Sequence, residues 1–486
     1  MLSVRELEPR RLWNHFTDLN SVPRPSKKEE QVIQFAKNFG ESLGLETIVD
    51  SIGNVIIRKP ATSGMEDRLP IVMQSHLDMV CQKNEKTAFD FESQGINMFV
   101  DEDWVKADGT TLGADNGIGV AAIMAILSSK EIGHPSLEAL FTIDEETGMT
   151  GAIGLEPGML SGRILLNLDT EEDNELTIGC AGGVDITLSS EYESSPAPSD
   201  SIAYQLDIRG LKGGHSGVDI HLGRANANQW MNRLIWHASS TADAKIGSIE
   251  GGGLRNAIPR ESSAVLAIPT DKTLAFEKCI NEQSRQLLGE YESTDPDAKI
   301  EYRQVAEKVS IVDETFQTDL LSTLYTCPNG IYRMSPDIQD LVQTSNNLAR
   351  VLVNKGCLEI GCLTRSSVNS ERDDLANAIQ VSFQKFGGDV RLGGKYPGWT
   401  PRPESKIVHL MSGLYRELFD EDAHVAACHA GLECGILGRH YPEMEMISFG
   451  PNIFGAHSPD ERVQISSVQK FWRFLLETLQ RIPTTA

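Results

Sequence analysis

Basic residues are scarce in this 486-residue chain: 44 Lys and Arg stand against 69 Asp and Glu, a formal net charge of −25 at pH 7. That balance excludes nucleic acid and anionic membrane as partners, because both are met by basic side chains. No apolar run reaches the roughly 20 residues that cross a bilayer. The N-terminal segment is charged and amphipathic, unlike a secretory leader. The eight cysteines (Cys81, Cys180, Cys279, Cys327, Cys357, Cys362, Cys428 and Cys434) contain no C-x-x-C pair. This removes a cysteine-type zinc site and a thioredoxin-like centre. The expectation is a reduced, soluble, cytoplasmic protein.

What is present is ordinary globular material, 40% hydrophobic and 23% charged, long enough for two or three domains. Val4 to Leu19 reads as a helix. Ser26 with Glu29 resembles a capping box for a second helix, Lys27 to Leu43. Thr47 to Arg58 reads as a hairpin turning near Gly53-Asn54. Apolar strands then alternate with helices: strands at Ile71–Ser75, Ala139–Ile143 and Ile164–Leu168, and an almost wholly apolar helix at Ile118–Leu127. That alternation predicts an α/β domain whose mainly parallel sheet is flanked by helices.

The pattern changes near Gly179-Cys180-Ala181-Gly182-Gly183. Period-two strands such as Tyr204–Arg209 follow, with helices at Ala225–His237 and Ser370–Lys385. Two similar sets of elements, the second spanning about Lys299 to Leu392 and opening with a strand at Lys299–Tyr302, predict an α+β domain built as an internal duplication. The last segment must rejoin the first if His457 is to meet His76. The expected organisation is a discontinuous catalytic domain (1–186 and 400–486) with an inserted domain at 187–399.

Polar residues stand just past the apolar strands. His76 and Asp78 follow Ile71–Ser75, Glu145 and Glu146 follow Ala139–Ile143, and Asp169 follows Ile164–Leu168. Asp115 opens the Gly-spaced helix start Asp115-Asn116-Gly117-Ile118-Gly119, and His457 lies in Phe454-Gly455-Ala456-His457-Ser458-Pro459. Singly these are ordinary: a Glu-Glu pair is usually solvated, and Asp-Asn-Gly is a common turn. Jointly they sit where open α/β sheets bind ligands, at the carboxyl ends of strands. His76, Glu146, Asp169 and His457 suit Zn, with Mn or Co also compatible. Asp115 can give one oxygen to each of two divalent metal ions. Adjacent residues in extended chain diverge, so Glu146 is read as a ligand and Glu145 as the general base. Asp78 is placed to accept the free N–H of His76 and fix its tautomer.

The segments Ser75-His76-Leu77-Asp78-Met79-Val80, Thr111-Leu112-Gly113-Ala114-Asp115-Asn116-Gly117, Glu145-Glu146-Thr147-Gly148-Met149, Asn167-Leu168-Asp169-Thr170-Glu171-Glu172, Gly210-Leu211-Lys212-Gly213-Gly214-His215-Ser216-Gly217 and His429-Ala430-Gly431-Leu432-Glu433-Cys434-Gly435 resemble the aminoacylase/carboxypeptidase-G-like family of dinuclear metallopeptidases. The resemblance runs end to end and is most specific to its aminoacyl-histidine dipeptidase branch. It implies one metal held by His76, Asp115 and Asp169 and a second by Asp115, Glu146 and His457. It also implies a lid made by the inserted domain, with His215 donating to the oxyanion and Asn256 and Arg365 gripping the substrate. Glu433 and Gly435 are expected to line the pocket. Glu171, Glu172 and Asp173 either meet a peptide's free amine or form a solvated acidic loop. Cys81 departs from the proline expected in close relatives, and reads as a packed thiol.

The implied activity is metal-dependent hydrolysis of a small peptide, with Xaa-His dipeptides preferred. Alternatives are N-acyl-amino-acid hydrolysis or broader dipeptidase and tripeptidase activity on the same site, and non-catalytic metal or peptide binding. The oligomeric state stays open: a doubled lid would supply His215 within one chain, whereas a simple lid would need a homodimer.

Overall fold

Four short apolar strands frame the first unit. In the computed structural model, which describes residues 3–306 and 308–485, Leu137–Thr142, Ile71–His76, Ile164–Asn167 and Glu445–Ser448 lie side by side and parallel. Every residue of the first three is buried, which is why they read as continuous apolar runs rather than alternating ones. The edges are antiparallel: the hairpin Glu46–Val49 and Val55–Lys59 on one side, Glu175–Cys180 on the other. His424–Cys428 completes an eight-stranded sheet. This unit comprises the chain up to Gly179, then Trp399–Ala427 and the residues from Leu432 on.

The helix Ala114–Ser128 packs against Ile71–His76 and against the helix Arg10–Asn20. Nearly every residue after Asp115 is buried, so it is apolar on all faces, as a core helix must be. Burying each of Ile118, Ile123 and Ile126 contributes about 1.5–3 kcal/mol. Two glycines in its first turns make room for neighbours. A Cβ on Gly119 would meet Asn116 Oδ1 at 2.5 Å and the Leu168 carbonyl at 2.8 Å, and one on Gly117 would meet the Arg24 guanidinium at 2.7 Å.

Two sequence-based expectations near the N-terminus need correction. Val4–Leu19 is not one helix but a short 3-10 turn, Val4–Glu6, and a helix, Arg10–Asn20; Pro9, lacking an N–H, stands as the N-cap between them. The second helix is Glu30–Ser42, with no side-chain cap. Ser26 is not its cap because its hydroxyl donates to Asp78 Oδ2 at 2.8 Å instead.

The second unit comprises Cys180–Gly398 with Cys428–Gly431. The chain enters it at Cys180 because the Gly182–Glu191 strand pairs with Cys357–Ser366 and Asp389–Tyr396. Its main sheet is antiparallel and contains two quartets of the same order. Lys299–Val305, Ser201–Arg209, Ser262–Pro269 and Lys245–Gly252 form the first; Asp389–Tyr396, Gly182–Glu191, Cys357–Ser366 and Val342–Asn354 form the second. Each has the order 4-1-3-2 of a β-α-β-β-α-β motif. The helices are Ala227–Ala242 and Thr273–Glu290 in the first, Glu314–Thr326 and Asn369–Phe386 in the second. The quartets join where Lys245–Gly252 pairs with Val342–Asn354. One core, with Leu234, Phe276, Leu320, Ile379 and Phe383 fully or nearly fully buried, runs through both.

Candidate metal centre

The sheet of the first unit delivers its polar residues to one end. His76 is the last residue of its strand, paired with Thr142 of the neighbouring one. Asp169 lies two residues beyond Asn167, and Glu145 three beyond Thr142. His457 comes from a loop between Ile453–Phe454 and Arg462–Gln464, which pair with each other and extend to Trp104–Ala107 and Met98–Asp101.

The five expected ligands come together. His76 Nε2 lies 3.2 Å from Asp115 Oδ1 and 3.5 Å from Asp169 Oδ1. His457 Nε2 lies 3.3 Å from Asp115 Oδ2 and 3.0 Å from Glu146 Oε2. The two oxygens of Asp115 therefore face different imidazoles, each with one further carboxylate. His76, Asp115 and Glu146 each place a ligand atom within 4.8 Å of the others.

The donor set fits cations. Glu146 Oε1 is buried without a hydrogen-bond partner. Burial and the repulsion of Asp115 and Glu146 raise Asp169 to about 6, against the pull of His76. Glu145 is pushed well above the usual carboxylate range, by burial first and then by Asp169, Glu433 and Glu146, although His76 opposes this. Carboxylates crowded this closely ionise together only when positive charge is shared among them. Imidazole and carboxylate donors without thiolate suit borderline divalent ions.

Asp78 is fully buried beneath His76, whose Nδ1 lies 3.1 Å from the Asp78 backbone carbonyl and 3.4 Å from the carboxylate Oδ1. It also accepts from the backbone N–H groups of Glu145 at 3.0 Å and Glu146 at 3.3 Å. Burial works against its ionisation, but His76, Ser26 and the Glu145 N–H outweigh that and hold it below the ordinary range. One residue thus orients a ligand, through its carbonyl and carboxylate together, and positions the adjacent acid pair.

Several residues of the centre carry no motif of their own. Arg24 is buried and donates to the carbonyls of Leu77 at 3.0 Å, Asp78 at 3.2 Å and Gly113 at 2.5 Å. It clamps the His76 loop to the Asp115 turn. Glu461 is buried and accepts from the N–H groups of Leu112, Gly113, Ala114 and Asp115 at 2.7–3.3 Å. It ties that turn to the His457 loop. Asn116 donates to Asp169 Oδ1 at 2.5 Å and to the Leu168 carbonyl at 2.7 Å. The only local hint of Arg24 was its place between two prolines; Glu461, beside Asp460 and Arg462, looks like a surface acid.

Glu433 is fully buried, accepting from Gln74 and Thr142 at 2.6 Å each, and Gly435 is buried in the helix Glu433–His440. Burial pushes the Glu433 carboxyl up to about 8. The Cys81 thiol is half-buried and likewise raised by burial, to about 11, so it is a poor nucleophile.

In the second unit, His215 and Arg365 are brought together. His215 Nδ1 accepts from the N–H groups of Gly217 at 3.2 Å and Val218 at 3.0 Å, which leaves Nε2 to carry the proton of the neutral ring. Arg365 donates to Tyr396 Oη at 2.8 Å, and its Nη2 lies 3.4 Å from His215 Nε2. Burial and then Arg365 lower His215 to about 4. Asn256 is exposed, and its carbonyl accepts from Ser216 N at 2.7 Å beside His215. His429, singled out in the sequence only within its motif, is buried with Nε2 2.8 Å from Ser345 Oγ.

A parallel-centred α/β unit with two imidazoles sharing one carboxylate defines a metallopeptidase class of site, and the family model for peptidase family M20/M25/M40 matches residues 72–481. The chain belongs to that family, whose members are metal-dependent hydrolases. It is 40% identical over 484 residues to the cytosol non-specific dipeptidase of Escherichia coli, covering 99% of this chain and 100% of that protein. The crystal structure of aminoacylhistidine dipeptidase from Vibrio alginolyticus superposes with a TM-score of 0.93 at 40% identity, covering 100% of this chain and 99% of that one. Aminopeptidase PepT from Bacillus cereus, at 16% identity and a TM-score of 0.56 over 98% and 99% of the two chains, shares the fold.

Proposed function

We propose that this protein is a dinuclear metallodipeptidase that hydrolyses small peptides, Xaa-His dipeptides among them. The observation that carries the reading is the division of Asp115, one oxygen toward His76 and the other toward His457. On this reading His76, Asp115 and Asp169 hold one divalent ion and Asp115, Glu146 and His457 the other. Zinc suits both sets, and manganese or cobalt is compatible. When bound, such ions supply Lewis-acid polarisation of the scissile carbonyl and acidify water near neutral pH.

The protein's own residues do the rest. Glu145, with a carboxylate raised by burial, takes the proton of the attacking water and hands it to the leaving amine, the exchange that a base with an elevated pKa performs efficiently. Asp78 keeps the His76 ring in one tautomer. The first unit is the catalytic domain and the second its lid. His215 Nε2–H suits an oxyanion, and the Arg365 guanidinium suits a terminal carboxylate. Full-length likeness to two dipeptidases supports the substrate class.

The test is a panel of Xaa-His dipeptides, matched Xaa-Ala dipeptides and N-acyl-amino acids, run on metal-loaded enzyme. Dipeptides should be cleaved fastest; faster cleavage of N-acyl-amino acids would replace this reading with an acylase. In the same assay Glu145→Gln should lower turnover about 10²–10⁴-fold with metal content retained. A loss under tenfold would remove Glu145 from the role of base.

A further inference from the structure

Three hydrogen-bond donors of the second unit cluster without an acceptor. Ser345 and Arg365 stand directly opposite each other on the paired strands Val342–Asn354 and Cys357–Ser366, so their side chains leave the same face of the sheet. On that face the buried Arg365 guanidinium donates to Tyr396 Oη and brings Nη2 to 3.4 Å from His215 Nε2. Its Nε is buried without a partner. His429 stands over Ser345, with Nε2 2.8 Å from the hydroxyl oxygen. The His429 carbonyl and the His215 ring both crowd Gly217: a Cβ there would lie 2.1 Å from the first and 3.1 Å from His215 Cε1. His429 Nδ1 is buried, and it too has no partner.

The tautomer of His429 follows from its neighbour. Ser345 is buried, and among the described residues its hydroxyl meets no acceptor but His429 Nε2. A buried hydroxyl proton left without an acceptor is costly. Ser345 therefore donates to Nε2, and the neutral ring carries its proton on Nδ1. Burial, then Arg365 and His215, keep that ring neutral by lowering it to about 3. His215 carries its own proton on Nε2, because its Nδ1 accepts two backbone N–H groups. The contact between Arg365 and His215 thus sets donor against donor. Buried donors in folded proteins meet acceptors, so this cluster calls for an acceptor from outside the chain, and a guanidinium among the donors selects an anion. We propose that His429 is a specificity-determining residue that binds the substrate's terminal carboxylate together with Arg365, Nδ1–H taking one oxygen and the guanidinium the other. A carboxylate offers two acceptor oxygens, whereas a carboxamide offers one and sets an NH₂ against the remaining donors. The pair therefore separates peptides with a free C-terminus from peptides with a blocked one. The proposal rests on the dipeptidase reading.

Two substrates test it on the metal-loaded enzyme: Ala-His, and the same dipeptide with its C-terminus amidated. The wild type should prefer the free acid. His429→Gln reaches the Nε2 end of the ring and supplies no donor at the Nδ1 position. It should lower kcat/KM for Ala-His about 10- to 100-fold, the range for a hydrogen bond to a charged group, with KM rising more than kcat falls. The amidated peptide should change less than threefold. His429→Asn puts an amide N–H at the Nδ1 position and should recover most of the preference, which a structural role would not do. Equal loss on both substrates would overturn the proposal and leave His429 as a packing residue; an unchanged preference in His429→Gln would overturn it as well. A wild type that cleaves neither peptide would sink the dipeptidase reading itself, an outcome separate from any result with the variants.

Discussion

At the scale of single residues, His429 shows how burial in the second unit sets a pH response. Burial comes first, then Arg365 and His215, and together they bring its pKa from the ordinary 6.5 down to about 3. Between those values the unfolded chain binds a proton at this position and the folded one does not. Stability therefore rises with pH across the window. The contribution is complete above pH 6.5 and is lost as pH falls toward about 3, at up to about 1.4 kcal/mol per pH unit. His215, lowered to about 4 by burial and Arg365, acts in the same direction. Urea unfolding between pH 4.5 and 7 should give a shallower stability slope in His429→Gln than in the wild type. Equal slopes would place the acid sensitivity on other groups.

At the scale of elements, the Asp115 turn is held from both sides. Arg24 satisfies the Gly113 carbonyl, and Glu461 satisfies four consecutive N–H groups at the start of the helix Ala114–Ser128. A helix start leaves its first N–H groups without intrahelical partners, and here a buried carboxylate takes them up. Glu461→Gln keeps the size but only one acceptor oxygen, so about two of these bonds are lost at about 1–3 kcal/mol each. Denaturant unfolding should show a loss of about 2–6 kcal/mol, and metal titration should show weaker binding, since Asp115 and His457 both lean on this contact. Wild-type values for both would remove Glu461 from the support of the centre. The same element explains what could be read in advance. His76, Asp115, Glu145, Glu146 and Asp169 were legible because each interrupts or ends an apolar run, and such runs mark buried strands or helices whatever surrounds them. Arg24 and Glu461 were not legible because the backbone groups they hold lie 53 to 89 and 346 to 349 residues away in sequence and leave no trace in side-chain pattern; the one local partner of Arg24, Asn20 Oδ1 at 3.0 Å, does not distinguish it from a surface arginine. Ser26 misled for a related reason: a serine three residues before a glutamate matches a local cap, and only tertiary contact reassigns it to Asp78. A repeat of elements was legible, but not the membership of the two quartets: the strand at Lys299, expected to open the second set, pairs with Ser201–Arg209 in the first, and Gly182–Glu191 belongs to the second, because strand pairing rather than chain order decides which strands belong together.

At the scale of the whole molecule, all five expected ligands and their supports, Arg24, Asp78, Asn116 and Glu461, belong to the first unit, whereas the second has its own sheet and its own core. A ligand that binds only the native state stabilises by RT ln(1 + [L]/Kd), about 2.7 kcal/mol at 100 times Kd for one site. Removing divalent ions also leaves Asp115, Glu145, Glu146 and Asp169 to repel one another without compensation. Chelation should therefore act on one unit and spare the other. Scanning calorimetry of the metal-loaded protein should resolve a transition that moves to lower temperature with chelator and returns on adding zinc, manganese or cobalt. A second transition should stay within about 1 °C of its place, because nothing in that unit's core depends on the ions. The order of recovery among the three metals would rank their affinities for the centre. A single transition that moved as a whole would show that the two cores unfold as one cooperative body, and would make the metal a determinant of the stability of the entire chain.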